Sequence, residues 1–382
     1  MNLFFQIKAS MQKMFFIGAL LTSFISLISC SSEYSSSDNF SDPYIETLSS
    51  IFNEVSVSQK SIPLSSSIVQ PVFIVVVNNG NSIVVADNAK KTLFLINQEG
   101  EILSQAGMNG RGPGEYEMFS GMHLGYDDRI YVKDSSLRRI TTYEVVNNEI
   151  RLFETNKYES PESYQLYNIY VTEYGNFGLY NESEGYHTPE NRFLLYLLDE
   201  EFKPIEQKLI VPGEERQPMN VAGFLMYPPH DYTDKYIWHF EGDTFYYVNN
   251  YSSLVRGFNV NTWKDKIELE VSLPERTANT YYISAADEAY NFDSNKEYWS
   301  VLENLEILPI LSGIWVDDQD FILSIRPAPN DDIMMLSFNN EKKEISYFML
   351  PSESGASTFS LDTFYTVKQD STGQSHLIKT YF

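Results

Sequence analysis

The chain has 382 residues, with 52 acidic side chains against 27 lysines and arginines, and a formal net charge of −25 at pH 7. An anionic surface of this size repels phosphate backbones, whose binding rests on clustered Lys and Arg, and so excludes nucleic acid as a partner. Aromatic residues make up 15%, which favours half-buried pleated strands, while a single cysteine excludes a disulfide framework and leaves stability to the core.

The N-terminus reads as a leader. From Met11 the sequence is MQKMFFIGALLTSFISLISC, in which Lys13 precedes an apolar run from Phe15 to Ile28 and then Ser29 and Cys30. Charged, apolar and small residues in that order, over a run too short to span a bilayer comfortably, predict a signal peptide over residues 1–29, with Met11 a better start than Met1. Its end, Leu27-Ile28-Ser29-Cys30, resembles the lipobox of bacterial lipoproteins, in which the cysteine is lipidated and becomes the first mature residue. A secretory leader with a chance cysteine is the alternative. The polar, serine-rich stretch that follows, SSEYSSSDNFSD, buries too little to order itself, so residues 30–50 are expected to be a lipidated cysteine and flexible tether, and 51–382 a single domain. Ser31, Glu33 and Asp38 fit an outer-membrane lipoprotein, periplasmic or surface-facing, that meets the membrane through its lipid alone.

Next comes a repeat. Ile83-Val84-Val85-Ala86-Asp87 followed by Lys91-Thr92-Leu93 aligns with Ile130-Tyr131-Val132-Lys133-Asp134 followed by Arg138-Arg139-Ile140 at a constant offset of 47. In each copy a strand ends in an acid, a polar turn follows and a second strand begins, so Asp87 and Asp134 are expected to accept backbone N–H groups and hold the turn. Further two-strand units pair 177–180 with 192–198, 244–248 with 254–260, 321–325 with 333–338, and 363–367 with 376–382. Six units of several strands each predict an all-β propeller, in which the leftover segment 53–66 completes the last blade and closes the ring.

Between the first two units lies GMNGRGPGEYEMF, Gly107 to Phe119. It lacks Gly-Lys-Ser/Thr, its glycines miss the Gly-x-Gly-x-x-Gly spacing, and Pro113 removes a donor, so the stretch is expected to be a connection between blades and no phosphate cradle. Gly110-Arg111-Gly112-Pro113-Gly114-Glu115-Tyr116 followed by Asp128 to Asp134 resembles the six-bladed β-propeller lipoproteins related to NHL-repeat proteins. The match is good over 83–143 and loose from 164 onward. The resemblance implies a fold and a location, and carries no catalytic residue with it.

Two insertions interrupt the pattern. NESEGYHTPEN, residues 181–191, is a polar loop carrying His187. Residues 274–309 contain SNKEYWSVLENLEIL, where Ser294 and Glu297 have capping-box spacing and Tyr298, Val301, Leu302 and Leu305 share one face, so a short helix is expected near 294–306.

Motifs with local chemistry are few. The histidines at 123, 187, 230, 239 and 376 have no zinc spacing, the acidic pairs at 317–318 and 331–332 lack a calcium-loop pattern, and no Gly-x-Ser-x-Gly elbow occurs, so neither metal nor cofactor is expected. Tyr227-Pro-Pro-His230-Asp231-Tyr232 leading into Tyr236-Ile-Trp238-His239-Phe240 suits stacking on a sugar ring, or blade packing equally well. Arg111, Arg138, Arg139 and Arg326 are scarce cations that suit an anionic group. The candidate binding residues are therefore Arg111, Arg139, His187, His230, Trp238 and Arg326. The favoured function is a monomeric, non-catalytic envelope lipoprotein that binds a glycan, peptide or protein partner through one propeller face. The alternative is a hydrolase or lyase acting on carbohydrate or peptide with a site distributed over several blades.

Overall fold

The structure, a computed structural model, describes residues 42–161, 164–182, 193–211, 219–221, 224–226, 236–277, 282, 308–317, 320–325, 332–339, 341–350, 356–360 and 363–381. Cys30, His187, His230, Arg326 and the helix expected near 294–306 lie outside them.

The described chain begins with α1 (Pro43–Ile51). Asp42 caps it by accepting from the Tyr44 amide at 2.8 Å, Pro43 takes the first turn where no donor is needed, and Tyr44, Ile45 and Leu48 bury one face. This corrects the expected tether over 30–50, because that apolar stripe has a core to enter and residues 43–50 therefore belong to the folded body.

Two short strands follow, β1 (Asn53–Glu54) and β2 (Ser58–Pro63). The first blade is β3 (Pro71–Val77), β4 (Ser82–Asp87), β5 (Thr92–Asn97) and β6 (Ile102–Ala106). The glycine-rich connection holds two bridges, β7 (Met108–Asn109) and β8 (Glu115–Tyr116). The second blade is β9 (Gly121–Leu124), β10 (Ile130–Asp134), β11 (Arg139–Val146) and β12 (Glu149–Lys157). The third is β13 (Tyr164–Thr172), β14 (Gly175–Glu182), β15 (Phe193–Leu198) and β16 (Pro204–Val211). A hairpin of β17 (Met219–Val221) and β18 (Phe224–Met226) leads to the fourth, β19 (Tyr236–Glu241), β20 (Thr244–Asn249), β21 (Leu254–Asn259) and β22 (Lys264–Glu270). The fifth is β23 (Leu311–Asp317), β24 (Asp320–Ile325), β25 (Ile333–Asn339) and β26 (Glu344–Leu350), and the sixth takes β27 (Ser357–Ser360), β28 (Thr363–Gln369) and β29 (Ser375–Tyr381) from the end of the chain.

The sixth blade is completed by β2, which pairs antiparallel with β29 from Ser58 opposite Tyr381 to Pro63 opposite His376. Ring closure by the N-terminal strand is thus as expected. Pro63 ends an edge strand, where its missing donor costs little. An additional stitch was not foreseen: β1 lies parallel to β26, with Asn53 opposite Ser346 and Glu54 opposite Tyr347, so one segment ties the fifth and sixth blades together.

Blade-to-blade packing explains the sequence pattern. In β4, Ile83 and Val85 pack toward the sixth blade, while Val84 and Ala86 pack toward the second. Each second strand is covered on both faces, so it reads as a continuous apolar run without alternation. Hydrophobic clusters fill the spaces between successive blades all the way round, and α1 joins the one between the fourth and fifth.

Asp87 and Asp134 are fully buried and hold turns as expected. Asp87 accepts from the amides of Val69 (2.5 Å), Gln70 (2.6 Å) and Lys90 (2.9 Å). Asp134 accepts from those of Glu117 (2.8 Å), Met118 (3.3 Å) and Leu137 (3.0 Å). Each carboxylate therefore staples the entry into its blade to the turn between that blade's second and third strands. Antiparallel order puts these turns and the inter-blade connections on one face of the disc, and the remaining turns on the other.

Candidate binding site

The glycine-rich connection is closed to phosphate by its own side chains. The Gly112 amide donates to Glu115 Oε2 at 2.6 Å, the Gly110 amide to the Tyr116 carbonyl at 3.1 Å, and the Glu117 and Met118 amides to Asp134. Gly110 (φ 152°) and Gly114 (φ 73°) adopt conformations that other residues avoid, and a Cβ at Gly110 would collide with the Glu115 carboxylate. Arg111 projects from this connection with its side chain 79% exposed and pairs with Glu117 at 2.5 Å. Arg139 lies beneath it, 6% exposed, and its Nη1 donates to the Arg111 carbonyl at 3.0 Å. Neither arginine is among the residues that line the axial cavity.

That cavity, of about 480 Å³, is lined by all six inner strands. β9 contributes His123, β13 Asn168 and Tyr170, β19 Trp238, His239 and Glu241, β23 Trp315, and β27 the hydroxyl-bearing run Ser357 to Ser360. Among the described residues, Trp238 is the one sequence candidate placed here. Its ring meets Phe193 at 4.6 Å and Tyr167 at 5.3 Å between centroids, so it packs and lines the cavity at once.

Polar groups are spaced among these rings. Asn168 Nδ2 donates to Tyr170 Oη at 3.2 Å, while Tyr170 stacks on Phe240 at 5.2 Å and meets His123 edge-on at 5.5 Å. Burial, reinforced by the neighbouring His239, pushes the His123 imidazole down to about 4, so at neutral pH it is uncharged and offers one donor and one acceptor. His239 Nε2 lies 3.7 Å from Glu241 Oε2. From behind, buried Lys133 donates to the carbonyls of Leu166 (2.8 Å) and Tyr167, where β13 carries a bulge just before Asn168. A bulge re-aims the residues that follow it, which sets the approach of Asn168 and Tyr170 to the cavity.

His123 reads as a lone histidine in the sequence, His239 stands in the aromatic stretch from Tyr236 to Phe240, and Asn168, Tyr170 and Ser357 carry no motif. The signal that finds them is positional. Each inner strand immediately precedes a recognisable second strand, so counting back across one turn from Ile130 or Thr244 lands on His123 or His239.

A family model described as 6-bladed beta-propeller matches residues 45–272. The chain belongs to this family, DUF5128. Comparison with curated proteins finds no match. Among solved structures, the DUF5128 chain resembles a Bacteroides fragilis protein named as exported, with 13% identity over 87% of this chain and 98% of that one and a TM-score of 0.51. It also resembles a DUF4221 member from Bacteroides vulgatus (12% identity, 86% and 98% covered, TM-score 0.48) and the virginiamycin B lyase of Staphylococcus aureus (10% identity, 86% and 100% covered, TM-score 0.44). At 13% identity the likeness to the exported protein speaks to the fold alone.

Proposed function

We propose that this DUF5128 propeller is a non-catalytic binding protein of the cell envelope that seats a glycan unit in its axial cavity. The carrying observation is the wall of that cavity, where Trp238, Tyr170 and Trp315 alternate with an uncharged histidine, an amide and serine and threonine hydroxyls. Sugar rings present apolar faces edged by hydroxyls, and such walls supply both stacking surface and paired donors and acceptors. A volume of about 480 Å³ is in the range of small-ligand sites. Screening mono- to trisaccharides by calorimetry tests the reading. Trp238→Leu is expected to weaken the best binder at least tenfold, whereas Arg111→Ala, far out on an exposed loop, leaves it unchanged. Equal affinities in wild type and Trp238→Leu would remove the cavity from consideration.

A second reading rests on His239 beside Glu241, a base with an orienting carboxylate, which suits hydrolysis or elimination at a bound carbohydrate. Turnover of the same saccharides, lost in His239→Gln with binding retained, would favour it.

The anchor belongs to the same proposal. Among the described residues no helix is long and apolar enough to cross a membrane, and in this reading Cys30, lipidated after removal of the leader over residues 1–29, supplies the attachment. Stable attachment takes more than one acyl chain, as lipoprotein anchors carry. Cys30→Ser is expected to move the protein from the membrane to the soluble fraction on fractionation; retention in the membrane at the wild-type level would refute the anchor.

A further inference from the structure

Arg139 holds a positive charge in the interior and, among the described residues, forms no ion pair within 4 Å. It opens β11 beneath the glycine-rich connection, and while Nη1 is taken by the Arg111 carbonyl, Nε and Nη2 are buried and have no partner. Those two nitrogens form one edge of the guanidinium, the edge that takes a single acceptor in a bidentate grip. The acids around it are committed elsewhere. Asp134, directly across the ladder from Arg139, spends its oxygens on three amides; Glu115 accepts from Gly112, and Glu117 pairs with Arg111.

The same face of the blade carries further unsatisfied groups. Thr141 follows Arg139 by two residues along β11, and Thr155 of β12 stands directly opposite Thr141. The Oγ1 atoms of both are buried; that of Thr155 has no partner, and that of Thr141 approaches only the Tyr116 hydroxyl. Tyr116 Oη donates to Tyr143 Oη at 2.9 Å beside them, and a Cβ added to Gly114 would stand 3.6 Å from Tyr143 Oη, so the glycine turn roofs this polar patch closely. A guanidinium cannot shed its proton, and a charge in the interior is costly unless it is paired and hydrogen-bonded. Water would satisfy the donors alone. A small monovalent anion satisfies donors and charge together.

We propose that the Arg139 edge, with the Thr141 and Thr155 hydroxyls turned as donors, binds a halide-sized anion, chloride in the cell, which fastens the glycine-rich connection to the second blade. This site is separate from the axial cavity and independent of the glycan reading.

The test uses the folded body, residues 40–382, in thermal melts at constant ionic strength with chloride exchanged for gluconate. Because a ligand of the native state stabilises by mass action, each tenfold rise in chloride above its Kd is expected to raise Tm by roughly 2–3 °C, with gluconate inert. Arg139→Met, which replaces the charge by an aliphatic chain of similar length, is expected to fold and to melt at a chloride-independent temperature. Should that variant not fold, crystals of the wild type in sodium bromide decide the matter by an anomalous peak on the Nε/Nη2 edge. Chloride-independent melting of the wild type, chloride dependence retained in Arg139→Met, or bromide crystals without that peak would each overturn the proposal.

Discussion

Removing residues 31–67 is expected to convert a monomer into an aggregating protein, whereas removing residues 31–39 leaves the melting temperature unchanged. The longer deletion takes away β2, whose six residues satisfy the open edge of β29, together with Ile62, Leu64 and the fully covered Tyr44, Ile45 and Leu48. It also removes β1 from the edge of β26. The sixth blade then presents an unpaired strand edge in a chain otherwise closed on itself, and such an edge templates association with another copy. Core truncations of two or more large side chains each cost about 2–5 kcal/mol, so losing five exceeds the stability of an ordinary domain. Light scattering and differential scanning calorimetry of the two deletions side by side check this. A monomeric long deletion as stable as the short one would mean that closure contributes nothing.

The second large effect is expected at Asp42. Its carboxylate is buried with Arg276, 2.9 Å from Nη2, while Oδ1 accepts from Tyr282 Oη at 2.5 Å and from the first amides of α1. Arg276 Nη1 donates in turn to the Pro309 carbonyl, and Tyr44 Oη to the Pro274 carbonyl, so the cap of α1 is wired to both ends of the long connection between the fourth and fifth blades. Asp42→Ala removes a helix cap and strands a guanidinium that is 3% exposed, and losing one partner of a buried ion pair costs about 3–5 kcal/mol. A urea midpoint lowered accordingly, with an unchanged slope, is the expected result. The double variant Asp42→Leu/Arg276→Met should recover part of the loss, because it leaves no charge unpaired. If Asp42→Ala alone were neutral, the pair would be an ornament of a locally held helix.

How much of this was legible beforehand depends on where the information sits. Second and third strands of every blade could be read directly, because burial on both faces forces apolar runs such as Ile83-Val84-Val85-Ala86, and a bounding acid with a polar turn marks their ends. The offset of 47 was visible for the same reason. Asp87 and Asp134 make matching hydrogen bonds, to Gln70 and Lys90 in one blade and Glu117 and Leu137 in the next, so selection for one geometry leaves one spacing. Closure was legible too, as a surplus of alternating residues at one end of the chain and a strand lacking its partner at the other.

Two of the inner strands were not. β27 is Ser-Thr-Phe-Ser and β9 Gly-Met-His-Leu, sequences without strand periodicity, because one edge of each faces the axis and is free of packing demands. The cavity takes one inner strand from each blade, so its residues lie far apart in the chain and share no spacing. Of the sequence candidates, Arg111 was singled out for being a rare cation and proves to be a surface ion-pair partner, while Arg139, chosen on the same ground, is buried.

What the sequence by itself determined is therefore the architecture: all-β composition, six repeating hairpins, blade connections built on glycine and proline, and a terminal strand held in reserve. These follow from local demands that each residue meets with its near neighbours or with a repeated environment. The tertiary structure alone decided which side chains meet at the axis, that Asp42 and Arg276 form a buried pair more than two hundred residues apart, and that Arg139 is left with an open edge. Each of these depends on which blades the ring brings side by side, and contacts between distant segments leave no period in the chain from which they could be read.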